Sequence, residues 1–204
     1  GGVFVQNGFF NATESTVEAN EAAVGGGIHI TGNSTVRAIN TTIASNTAYD
    51  GGGALVVDGI FNAIDTTITS NEATRYGGGA FVVAGTLNAE GTTISSNTAD
   101  EGGGALVWDG IFAAKETILE SNEAKSGGGV CVYENGFFNA VSTTIVSNTS
   151  ADDGGGVCVE YGSFNATDTS IISNRAYLGG GVYIESGTFN ATETSIISNR
   201  ADWG

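Results

Sequence analysis

The groups on which acid–base or nucleophilic chemistry would be built are few. The chain carries one histidine, His29, two cysteines, Cys131 and Cys158, and six lysines and arginines among 204 residues. His29 has no cysteine or carboxylate cluster at metal-ligand spacing, so it reads as a structural side chain. No Ser/His/Asp or Cys/His relay assembles around it. The basic residues Arg37, Arg75, Lys115, Lys125, Arg175 and Arg200 are scattered over different turns. A polysaccharide lyase or hydrolase would gather such residues with aspartates or Ca2+ in one groove. Asp50, Asp100, Glu101, Asp152 and Asp153 precede glycine runs and are a weak candidate Ca2+ set. The GGxGxDxUx calcium repeat is absent, and solvated turn charge is the simpler reading. The expectation is a protein that is not an enzyme and needs no cofactor.

These scattered groups lie on a strict repeat. GGG triplets begin at Gly25, Gly51, Gly77, Gly102, Gly127, Gly154 and Gly179, spaced by 25 to 27 residues, and the chain opens on Gly1-Gly2. Eight units fill residues 1–204 as a single repeat domain. Each unit holds three short runs rich in β-branched and aromatic residues, such as Val182-Tyr183-Ile184, Phe189-Asn190-Ala191-Thr192 and Thr194 to Asn199. Gly, Ser, Asn and acidic residues separate them, which reads as three strands and three turns. No unit contains a helical apolar period. About 25 residues in three strands suit one coil of an all-β, right-handed parallel β-helix, whereas a propeller blade needs about 40.

Alternation assigns the faces. Val17, Ile43, Ile68, Ile94, Leu119, Ile145, Ile171 and Ile196 form an inward column. Ala19, Ser45, Ser70, Ser96, Ser121, Ser147, Ser173 and Ser198 follow, small enough for a tight interior corner. Next come Asn20, Asn46, Asn71, Asn97, Asn122, Asn148, Asn174 and Asn199, an unbroken column that predicts an amide ladder from coil to coil. In the second run a large apolar residue, from Phe10 to Phe189, pairs with an alanine two positions on. After the glycines, Phe4, His29, Leu55, Phe81, Leu106, Cys131, Cys158 and Tyr183 fall on the outward face, with Trp108 close by and Phe9, Ile60, Ile111 and Phe137 opening the next run. An outward apolar stripe of that length predicts an interface.

The pattern GGG-[VIA]-x-[VI], then F-N-A, then S-N-x-A, resembles the polymorphic-membrane-protein repeat, with its GGA[I/L/V] and FxxN motifs. The resemblance covers the whole chain, although Phe189 is followed directly by Asn190 rather than by an asparagine three positions later. It implies a right-handed β-helix and a surface or adhesive role.

Charge narrows the partners. With 22 acidic against 6 basic residues the net charge is −16. No basic face for nucleic acid or anionic lipid is present, and no apolar run is long enough to cross a membrane. Neither end carries an atypical capping unit, so the chain reads as a segment of a longer protein or one whose ends meet other copies. Sequons at Asn11, Asn33, Asn40, Asn165 and Asn190 are candidate glycan sites; the one at Asn148 falls in the ladder. Cys131 and Cys158 share a column in adjacent coils, as either a disulfide or two free thiols. Acids alternate with neutral residues along Glu21, Thr47, Glu72, Thr98, Glu123 and Thr149. At ~4.8 Å spacing, like charges on adjacent coils would repel by about 0.9 kcal/mol even in water. The expected function is an extracellular structural or adhesive protein, a building block of a surface filament or coat. It would assemble with copies of itself or other surface proteins through its coil ends and the apolar stripe. An ice-binding β-helix is the alternative, on the column Thr16, Thr42, Thr67, Thr93, Ile118, Thr144, Ser170, Ser195. A polysaccharide lyase or hydrolase is a further one.

Overall fold

In the computed structural model, which describes residues 1–203, the chain is a parallel β-solenoid of eight coils. Three eight-stranded sheets run its length, and every neighbouring pair in them is parallel. The coil that starts after Gly53 shows the unit: Ala54–Val57 in the first sheet, Ile60–Ile64 in the second, Thr67–Thr69 in the third. Register is residue-on-equivalent-residue, as in Phe61↔Leu87 and Ile68↔Ile94. A fourth, shorter ladder, exemplified by Glu72–Tyr76, lies between the third sheet and the glycines. It carries no apolar signature, because Glu72, Thr74 and Arg75 surround the single buried Ala73.

The interior is a stack of like on like. Val17 through Ile171 fill one column, and Phe112, Phe138, Phe164 and Phe189 stack with centroids 4.8 to 4.9 Å apart. A large residue facing an alanine lets the sheets approach closely along the whole axis.

Buried polar groups are paired by the same repetition. Each ladder asparagine donates Nδ2–H to the Oδ1 of the next, as Asn71 does to Asn97 at 3.0 Å and Asn97 to Asn122 at 3.0 Å. Its second Nδ2 proton reaches a carbonyl of the preceding coil, Asn97 to Ile68 at 3.0 Å. Its Oδ1 also takes the backbone N–H of the preceding asparagine. A second ladder, of threonines, bonds coil to coil at another corner: Thr92 Oγ1 donates to the Ala63 carbonyl at 3.0 Å, and Thr117 to Ala89 at 3.1 Å.

The corners differ from expectation in one respect. The Ala19/Ser45/Ser70 column is exposed, not interior, and adopts left-handed φ of 54° to 57°. The chain must reverse outward there so that the following asparagine can turn in. Each such residue carries the Cβ cost of the left-handed conformation, which the surrounding ladders outweigh. Corners at Glu14, Asp65 and Glu116, and at Asp58, Ala84 and Tyr161, share the same conformation.

Two substitutions probe this geometry. Asn97→Ala strands the Asn71 backbone N–H and opens the ladder. We expect a loss of about 2–5 kcal/mol in urea unfolding. Ala84→Gly removes the left-handed penalty at φ 51° at the cost of unfolded-state entropy, for a net gain of about 0.5 kcal/mol. An Asn97→Ala protein as stable as the parent would contradict the ladder's structural role.

Candidate functional site

The outward face of the first sheet is where the molecule departs most from its sequence. Leu55, Phe81, Leu106, Cys131 and Cys158 are buried and form a second apolar cluster, so the expected interface stripe is a core for most of its length. The cause is the first glycine of each triplet. Its φ of 58° to 67° folds the fourth ladder back over the sheet. The column just before the glycines, which includes Asp50, Tyr76, Glu101, Ser126 and Asp153, then borders what would have been surface. Members of the stripe stay partly open only toward the ends: Phe4 is 61% exposed, packed edge-on to half-buried His29 in the second coil, and Tyr183 is half-buried. Burial and the nearby N-terminus lower the His29 pKa.

Above this second core lies a lateral pocket of about 260 Å³ lined by Tyr76, Glu101, Trp108, Tyr133, Glu134, Glu160 and Tyr161. Departures from the repeat build it. A register shift between Ala73 and Tyr76 brings Tyr76 against Phe81, ring centroids 5.3 Å apart. A longer turn after Tyr133, closed by a Gly136 N–H to Tyr133 carbonyl bond, carries Glu134. Tyr161 stands on a left-handed corner at φ 60° and is 61% exposed. Trp108 links the wall: its ring lies 6.2 Å from Tyr76 and 5.8 Å from Tyr133, tilted by 57° and 56°. Sequence reading noted Trp108 beside the stripe. It also placed Glu101 among the acids before the glycines; Tyr76, Tyr133 and Tyr161 escaped it because no neighbouring coil repeats a tyrosine in their columns.

The pocket is electrostatically lopsided. Burial raises the pKa of Glu101, and Glu160 adds to it by repulsion; Tyr133 offsets part of the effect. Burial also raises Glu160, with Glu185 contributing. Burial first, then Cys131 and Glu101, push the Tyr133 phenol up, so it stays protonated. The nearby cations are engaged elsewhere. Arg75 makes two hydrogen bonds to Asp50, at 3.0 and 2.8 Å, with its guanidinium 4.2 Å from the Tyr76 ring centre. Lys125 pairs with Asp100 at 2.8 Å and Lys115 with Glu90 at 2.6 Å, each one coil back.

The other sequence candidates fall as follows. Asn11, Asn33, Asn40 and Asn190 are exposed and Asn165 is half-buried, while Asn148 is fully buried in the ladder. Asn190 donates to Asn165 Oδ1 at 3.0 Å. Cys131 and Cys158 are register partners and are both free, buried thiols; contact with Cys131 and burial raise the Cys158 pKa. Among the described residues no group of histidine, cysteine and carboxylate side chains gathers at metal-binding distance. The threonine column of the third sheet is in register, but its neighbour carries Glu18, Ala44, Glu120 and Val146. Comparison with protein-family models, curated proteins and solved structures gave no match.

Two outcomes follow from this chemistry. Glu160 holds its proton at pH values where the unfolded chain has lost it, so acidification from neutral through its raised folded pKa favours the fold. Glu160→Gln should therefore be more stable than the parent at pH 7, with the advantage shrinking as pH falls toward the ordinary carboxylate range. His29 acts in the opposite direction in both proteins and cancels in the comparison. Equal pH slopes in chemical denaturation would contradict it. Both thiols should resist a disulfide reagent in buffer and react fully in denaturant; fast reaction in buffer would mean that the second core is open.

Proposed function

We propose that this chain is a structural and adhesive repeat segment of an extracellular or cell-surface protein, a building block of a filament or coat, without enzymatic activity. The observation that carries the reading is the unbroken register of the three eight-stranded sheets, which makes a stiff rod about 34 Å long over seven ~4.8 Å steps. Such a rod displays surface at fixed intervals, and near-copies of one coil suit a role that depends on repetition. With the stripe internal, the contact faces available to other copies or other surface proteins are lateral. One is the opening column of the second sheet, where Phe9, Ile60 and Ile111 stand exposed. The other is the aromatic pocket. The likeness of GGG-[VIA]-x-[VI] and F-N-A to polymorphic-membrane-protein repeats supports a surface role. The net charge of −16 suits solubility in saline surroundings, and the exposed sequons at Asn11 and Asn190 leave room for glycans.

Immunogold electron microscopy of intact source cells, with antibody raised against this chain, tests the proposal. Label on the outer surface, or along fibres or a coat, is expected; label confined to the cell interior would overturn it.

A further inference from the structure

The lateral pocket has the ingredients of a cation cage. Three rings, Tyr76, Trp108 and Tyr133, meet at tilts of 56° to 57° rather than lying in one plane, and Tyr161 flanks them. A coplanar platform suits a flat sugar ring; tilted faces surround a compact, roughly spherical group. Tyr76 and Tyr133 also pack against the second core, which anchors two of the three rings. Glu101, Glu134 and Glu160 complete the lining, and no lysine or arginine is among the lining residues. Arg75 already shows that this aromatic wall accepts a cation: its guanidinium lies over Tyr76 while Asp50 holds it from the side.

We infer that the pocket binds an organic ammonium group, carried on methyl or methylene carbons, with the aromatic faces taking its alkyl shell and Glu101 and Glu160 its charge. A free quaternary amine and a lysine side chain of a partner share this chemistry. Burial raises the pKa of both glutamates first; Glu160 adds repulsion at Glu101 and Glu185 adds it at Glu160, and an entering cation would relieve that repulsion. The inference deepens the adhesive reading by naming what one contact face recognises. Its test is separate, because cation binding in solution does not depend on where the protein resides.

The experiment is isothermal titration of the whole chain with choline chloride and, separately, with N-acetyl-lysine amide, each at fixed ionic strength. 3,3-Dimethylbutanol, the uncharged analogue of choline, and cellobiose serve as comparisons. At least one ammonium compound should bind saturably, about tenfold or more tighter than the uncharged analogue. Which compound binds better identifies the source of the group. Trp108→Ala and Glu160→Gln should each weaken binding about fivefold or more. Phe9→Ser, on the second sheet, should leave it unchanged. Glu160→Gln keeps the test decisive if Trp108→Ala fails to fold. Binding no tighter than that of the neutral alcohol, binding indifferent to Glu160→Gln, or preference for cellobiose would overturn the inference.

Discussion

Everything in this molecule depends on the spacing of about 4.8 Å between parallel strands. Coil on coil, each side chain must live beside its own equivalent, so the sequence can change only in ways that tolerate stacking on itself. Interior columns are therefore uniform or alternate between similar volumes. Buried polar atoms are acceptable only where they bond to copies of themselves. Asparagine meets that demand because its amide both donates and accepts, and threonine meets it by reaching the alanine carbonyl one coil back. An unpaired amide in such a core would cost about 1–3 kcal/mol, so the ladders let a narrow interior contain polar corners at all.

The same constraint governs charge. Lys115, Lys125 and Arg75 each find an acid one coil back, at Glu90, Asp100 and Asp50. These are mostly exposed pairs of small individual weight. Their effect is to break up runs of like charge in a chain of net −16. Where acids are half-buried beside the pocket with no cation against them, at Glu101 and Glu160, burial raises their pKa values. The longer turn at Glu134 is a local break in the repeat, while the register shift before Tyr76 is one of several along the fourth ladder.

This explains what could be read from the sequence. Columns identical in every coil, such as Asn20 to Asn199 or the Phe/Ala pairs, state their face and partners directly, and the eight-coil parallel solenoid followed from them. Strand alternation failed for Leu55, Phe81 and Leu106 because it takes a sheet's outer face to be solvent. The left-handed glycine that closes the fourth ladder over that face leaves only a short polar segment, Glu72 to Arg75, as its trace. The outward serine corner was misplaced for a related reason, since small size fits both a tight interior and a left-handed turn. Trp108 and Glu101 stand out in the sequence singly, but their assembly into a cage does not, because Tyr133, Glu134 and Tyr161 belong to no column pattern.

Amide hydrogen exchange resolved to single residues tests the self-stacking core most directly. The backbone amides of Asn46, Asn71, Asn97, Asn122 and Asn148, each bonded to the Oδ1 of the next coil, should be among the slowest in the chain and should exchange together in a single global unfolding event. Exchange of those amides at the rates of exposed loop positions, or protection that breaks up coil by coil, would contradict a continuous ladder.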